Sequence, residues 1–79
     1  MLNVKEVEKL IRAGKPGRHT DADGLLLKIN KTGAASWNYR FTLAGVRCEM
    51  GLGPCRSVTL AEARAKRDAA RELVEKGLD

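Results

Sequence analysis

Apolar and polar residues alternate without a slip through Ser36-Trp37-Asn38-Tyr39-Arg40-Phe41-Thr42-Leu43. Successive side chains of a strand point to opposite faces, so Trp37, Tyr39, Phe41 and Leu43 share one side and Ser36, Asn38, Arg40 and Thr42 the other. The first set contains every aromatic residue of the chain. A small protein buries such a face, which predicts a strand with a core side and a polar side. Its two neighbours repeat the pattern. Gly24–Asn30 sets Leu25, Leu27 and Ile29 against Leu26, Lys28 and Asn30, and Val46–Leu52 sets Val46, Cys48, Met50 and Leu52 against Arg47 and Glu49. Lys31-Thr32-Gly33 and Ala44-Gly45 supply turns between them. Consecutive strands on such short connections form an antiparallel meander, apolar on one face and polar on the other.

Helical spacing brackets this meander. Asn3 can cap a first helix, with Glu6 three residues on and with Leu2 and Val7 at the positions of a hydrophobic staple. Val4, Val7, Leu10 and Ile11 then fall on one narrow face, and Gly14 with Pro16 ends the run. Gly14–Asp23 reads as a loop, with His19 a surface residue in it. Further on, Thr59 and Glu62 form a capping box, and a helix of roughly 25 Å runs to about Lys76. Gly77 fits the left-handed position past its end, where Leu78 could close onto Leu73. Leu60, Ala63, Ala70 and Val74 make a stripe of small and apolar residues that lets the helix lie close to a sheet. Arg64, Arg67 and Arg71 line the border of that stripe and read as a solvated flank paired in part with Asp68 and Glu75. The expected fold is α+β: a three-stranded antiparallel sheet (about 24–52) covered on one face by a C-terminal helix (about 60–76), with a short N-terminal helix (about 3–13). Residues 1–79 are expected to form one domain.

With that helix in place, no element is left to cover the other face of the sheet. That face carries Leu26, Lys28, Asn30, Ser36, Asn38, Arg40, Thr42, Arg47 and Glu49. Arginine and asparagine can hydrogen-bond guanine and adenine edges in a major groove, which is wide enough to admit strands. Fifteen Lys and Arg against ten Asp and Glu leave a net charge of +5. This favours a polyanionic partner, nucleic acid before an anionic membrane surface. From pattern and charge alone, a solvated sheet face and a nucleic-acid face both remain open.

Other chemistry finds little support. No apolar run approaches the ~20 residues of a membrane helix, and the start lacks the apolar segment of a secretory signal. Cys48 and Cys55 therefore read as reduced thiols of a cytoplasmic protein. A single histidine and the absence of a CxxC pair predict neither a metal site nor a cofactor.

The order of motifs resembles the N-terminal domain of phage-type integrases, the tyrosine site-specific recombinases of prophages and genomic islands. The resemblance rests on Asp23-Gly24-Leu25, Ser36-Trp37 through Arg40-Phe41, Met50-Gly51-Leu52-Gly53 and Leu60-Ala61-Glu62-Ala63-Arg64, and it spans nearly the whole chain. The chain departs from the family at Leu26, where an aromatic is usual, at Ala22, where glycine is usual, and at Cys55-Arg56, where Tyr-Pro is common. The resemblance implies a domain that binds double-stranded DNA at arm-type sites, its sheet in the major groove and its C-terminal helix behind. It also implies a longer protein, with a core-binding domain, a catalytic domain built around a tyrosine nucleophile, and other integrase protomers as partners. The isolated domain is expected to be a monomer. Asn38, Arg40 and Arg47 are the candidates for base edges. Lys28, Lys31 and Thr42 are candidates for the DNA backbone, with Asn30 and Ser36 completing the surface. Lys15 and Arg18, in the loop, are further phosphate candidates. Tyr39, the one tyrosine, lies on the core side without a basic or histidine constellation, so it is expected to be structural and the chain non-catalytic. A rival use of the sheet, or of the arginine column, is docking another protomer or a directionality factor.

Overall fold

The alternating segments form an antiparallel sheet in the computed structural model, which describes residues 1–77. The elements are α1 (Val4–Ala13), β1 (Gly17–Thr20), β2 (Leu25–Ile29), β3 (Ala35–Leu43), β4 (Val46–Pro54) and α2 (Leu60–Glu75). The sheet has four strands in the order β1-β2-β3-β4, where the pattern predicts three. The extra strand comes from the segment expected as a loop, and it pairs Arg18 with Lys28, His19 with Leu27 and Thr20 with Leu26. Gly-Arg-His-Thr has no apolar alternation because an edge strand this short is held by its ladder to β2, with little side-chain burial. His19 is accordingly a half-buried strand residue on the side of Leu27 rather than a surface loop residue.

One face of the sheet supplies the core. Leu25, Leu27, Ile29, Trp37, Tyr39 and Leu52 meet Leu60, Ala63 and Ala70 of α2 and Leu2 and Val7 from the N-terminal end. Ala63 is fully buried, as close approach of helix to sheet requires. The Trp37 indole donates to the Val58 carbonyl at 2.9 Å, so its one polar atom is satisfied inside the core. Tyr39 stacks on Phe41 with ring centroids 5.2 Å apart.

The caps follow the sequence closely. Glu6 N–H donates to Asn3 Oδ1 at 2.8 Å, but Glu6 receives the Asn3 side-chain amide instead of its backbone N–H, so only half of a capping box forms. Thr59 and Glu62 form a complete one. The Thr59 backbone N–H, with its hydroxyl, holds the Glu62 carboxyl below its ordinary range. Gly77 is left-handed as expected, and the proposed partner Leu78 lies outside the described residues. Arg67 is buried within the α2 stripe rather than standing at its border.

β3 and β4 outrun their neighbours. β2 pairs with β3 only from Leu25–Tyr39 to Ile29–Ala35, whereas β3 and β4 stay paired out to Leu43–Val46. Phe41–Leu43 and Val46–Cys48 therefore project as a two-stranded ribbon. A register shift at Trp37/Asn38, opposite Gly53 and Gly51, leaves Leu52 as the extra residue of a bulge, and it points into the core. The ribbon closes on Ala44 and Gly45, whose φ angles are 51° and 79°. Two left-handed residues match the twist of a hairpin, but alanine pays a steric penalty there that asparagine largely avoids. Ala44→Asn is expected to raise unfolding stability by about 0.5–1 kcal/mol, read as a higher urea midpoint at unchanged slope.

Candidate nucleic-acid interface

The register orders the open face into rows. Arg18, Lys28 and Ser36 form one, and Thr20, Leu26, Asn38 and Gly51 the next. Arg40 with Glu49 at the base of the ribbon, then Thr42 with Arg47 on it, continue the series. Rows two residues apart lie about 7 Å from one another, so Ser36 to Thr42 spans about 20 Å. At about 4.8 Å spacing the full four-stranded sheet is about 14 Å across and β2 to β4 alone about 10 Å, close to the roughly 12 Å width of a major groove. The two-stranded ribbon is narrower still.

Arg40, Thr42 and Arg47 are exposed on this face, and neither arginine makes an ion pair among the described residues. Arg40 and Arg47 line a shallow depression with Arg18, Cys48 and Glu49. Asn38 is half-buried and its amide donates to Ser36 Oγ at 3.3 Å, which couples these two candidates. Lys28 stands 4.0 Å from Glu49. Asn30 sits just past β2, and its Oδ1 accepts from the Thr32 N–H, the Thr32 hydroxyl and the Ala34 N–H. It shapes the turn that carries the exposed Lys31. Lys15 is exposed ahead of β1.

Two residues of this face depart from expectation. Leu26 is only 1% exposed, although no secondary-structure element lies over it. Arg18, expected in a loop, is on β1 and reaches Glu49 on the opposite edge strand at 3.0 Å. Arg18 belongs to the row before Leu26 and Glu49 to the row after, so the pair crosses the sheet diagonally over Leu26. Sequence reasoning missed this because β1 carries no strand pattern.

The arginine column is not a free surface. Arg64 grips the Asp21 carboxylate with two hydrogen bonds of 3.0 Å and donates to the Leu2 carbonyl at 2.8 Å. Arg67 donates to the Ala22 carbonyl at 2.8 Å and to Asp68 at 2.9 Å. Arg71 lies 3.7 Å from Asp23 and 3.5 Å from Asp68. The expected partner Asp68 is present, and the other acids are Asp21 and Asp23 rather than Glu75. Asp21 also accepts the Leu2 N–H at 2.8 Å. One buried carboxylate thus ties the N-terminal end, the β1–β2 turn and α2 together.

Tyr39 is 5% exposed and packs in the core. Among the described residues no three His, Cys, Asp or Glu cluster as a metal site would require, and no helix is long and apolar enough to cross a membrane.

The sequence matches the Arm DNA-binding domain family over residues 2–79. It is 34% identical to the integrase of Enterobacteria phage P4, an alignment covering 99% of this chain and 18% of that protein. The integrase of Shigella phage Sf6 and the prophage integrase IntS of Escherichia coli K12 are each 34% identical over 100% of this chain and 20% of their own length. The chain thus spans about a fifth of the length of the curated relatives it matches. A helix-backed antiparallel sheet with an open basic face, matched along almost its whole length, belongs to the Arm DNA-binding domain family that these phage and prophage integrases share.

Proposed function

We propose that the chain binds double-stranded DNA at arm-type sites through the open face of its sheet. In this reading it is one domain of a longer integrase that acts in DNA integration and site-specific recombination. The observation that carries the proposal is a pair of exposed guanidiniums without an ion pair among the described residues, Arg47 on a projecting ribbon narrow enough for the major groove and Arg40 at its base. Arginine forks onto guanine O6 and N7, and asparagine onto adenine N6 and N7, so Arg40, Arg47 and Asn38 are assigned to base edges. Lys28, Lys31 and Thr42 are assigned to the backbone, where contacts set register without reading sequence. Ser36 orients Asn38, and Asn30 sets the turn that presents Lys31. Tyr39 has a structural role, and strand cleavage belongs to another part of the integrase. Arg64 and Arg67 of α2 are held by hydrogen bonds within the molecule and only Arg71 stands at the surface, which weakens the case for α2 as a docking surface. One small footprint binds weakly alone. A tethered core-binding domain and neighbouring protomers on the same DNA would add effective concentration.

Fluorescence anisotropy with duplexes carrying repeats from the ends of integrative elements tests the proposal. Arg40→Ala is expected to cost about 1–3 kcal/mol and to relax base preference at one position, while Lys31→Ala weakens all duplexes alike. With about 4–6 phosphates neutralised, log K should fall against log salt with a slope of about −4 to −5. Affinity indifferent to salt, or to the combined Asn38→Ala, Arg40→Ala and Arg47→Ala change, overturns the assignment.

A further inference from the structure

The open face carries one carboxylate in the middle of its cations. Glu49 is the cross-strand partner of Arg40, lies 3.0 Å from Arg18 and 4.0 Å from Lys28, and has a side chain only 27% exposed. An acid at this position opposes phosphate binding in two ways. It repels the DNA backbone directly, and it occupies two of the cations that would otherwise meet phosphates. The ion pair is also integrated into the face, because it spans from β1 to β4 over Leu26, which is buried to 1% with no element above it.

We propose that Glu49 is a specificity-determining residue. It withholds Arg18 and Lys28 from phosphates on arbitrary DNA and releases them where its carboxylate meets a base amino group in the major groove. The groups that fit are the N4 amino group of cytosine and the N6 amino group of adenine, the two donors the major groove offers to an acid. On a matching site the carboxylate exchanges its cations for an amino group and both cations turn to the backbone. On a mismatched site it faces carbonyl oxygens or phosphates, stays with Arg18 and Lys28, and the complex lacks their contacts. Discrimination here comes from a repulsive element as much as from an attractive one. The proposal rests on the sheet-face reading above.

Glu49→Gln keeps the size of the side chain and removes its charge. On a random-sequence duplex of about twenty base pairs, each additional phosphate contact should raise affinity about eightfold at 0.1 M salt and steepen the salt slope by about 0.9. One to two such contacts are expected in the variant. Selection from a randomised duplex pool should yield a flatter base preference at one position, where wild type prefers cytosine or adenine on one strand. Adding Arg18→Gln to Glu49→Gln should remove part of the gain, which ties it to the released guanidinium. Far-ultraviolet circular dichroism confirms that the variants are folded. Unchanged or weaker binding of the random duplex by Glu49→Gln, or an unchanged base preference, overturns the proposal. The two ideas separate cleanly. If the Asn38/Arg40/Arg47 triple change leaves duplex binding intact, the sheet-face reading falls. If the triple change abolishes binding while Glu49→Gln alters nothing, only the role of Glu49 falls.

Discussion

Asp21→Ala is expected to lower the unfolding free energy by about 3–5 kcal/mol, because it strips a buried cluster of the acceptor shared by Leu2 and Arg64. The Asp21 side chain is fully buried, and its oxygens take the Leu2 N–H and two Arg64 hydrogen bonds, with Arg67 4.0 Å away. Removing the carboxylate leaves Arg67, whose side chain is 10% exposed, near a void with fewer counter-charges. A domain of this length has a total stability on the order of 4–12 kcal/mol, so the variant would stand close to unfolding. Urea denaturation gives the measurement, and amide spectra should show the loss first at residues 2–13, which Asp21 and Arg64 secure. A midpoint equal to that of wild type would show that α1 and α2 are held by apolar contacts alone.

The same carboxylate sets a pH window. Burial pushes the Asp21 carboxyl up, but the Arg64 hydrogen bond, the Leu2 N–H and the nearby charges of Arg64 and Arg67 together outweigh it and hold the group below its ordinary 3.8. A folded-state pKa below the unfolded one means that this stabilisation is complete above the unfolded value. It is lost as pH falls through the folded value. Wild type should therefore lose stability below about pH 4, and Asp21→Ala should show a shallower acid decline over that range. Urea midpoints measured from pH 7 to pH 2.5 on both proteins test the difference.

What the sequence disclosed about this fold depended on whether burial or partnership fixed each element. β3, β4 and both helices bury one face each, as β2 does apart from Leu26, and burial writes a period into the residues. Trp37, Tyr39, Leu25 and Leu27 could therefore be placed on the core side from alternation alone. β1 buries almost nothing. Gly17–Thr20 is a strand because β2 had an unpaired edge, and a ladder of backbone hydrogen bonds leaves no mark on side-chain order. The charged clusters were hidden for a related reason. Asp21 sits in Asp-Ala-Asp-Gly, where aspartate is an ordinary turn residue, and its partners lie 19 and 43 residues away. Arg64 and Arg67 occupied helical positions that equally suit a solvated flank, so only tertiary contact showed that Arg67 is buried.

The open face was legible to the same degree. Alternation placed Ser36, Asn38, Arg40, Thr42, Arg47 and Glu49 on it, and the register keeps them there. Leu26 also fell on this face, where alternation implied exposure. Its burial to 1% was not expected, and the Arg18–Glu49 pair that crosses this face reaches it only because β1 exists. One missed strand thus concealed the partner of Glu49.

Gly24→Ala is expected to be the most damaging of the glycine-to-alanine changes, because its methyl meets both backbone and core. Gly24 has φ 88°, and a Cβ there would lie 2.4 Å from the Arg40 carbonyl oxygen and 2.9 Å from Tyr39 Cε1. The carbonyl is backbone in the central strand and Tyr39 is core, so neither can yield without moving β3. A left-handed alanine costs about 1–2 kcal/mol and overpacking about 1–3 kcal/mol, for a sum of about 2–5 kcal/mol. Gly33→Ala is the control, since Gly33 has nearly the same φ, 86°, with no atom within 4 Å of the added methyl. It should cost only the conformational part, about 1–2 kcal/mol. The difference between the two melting curves isolates the contact. At about 4–8 °C per kcal/mol, Gly24→Ala should melt at least about 8 °C below wild type, and below Gly33→Ala as well. Function should follow, because the Arg40 N–H donates to the Gly24 carbonyl at 2.8 Å where the ribbon leaves the sheet. At a temperature where the variant is still folded, displacement of that junction should re-aim Arg40 and weaken duplex binding more than Gly33→Ala does. Equal melting temperatures for the two alanine variants would mean that β3 accommodates the methyl, and that the Asp23-Gly24-Leu25 motif reflects backbone conformation alone.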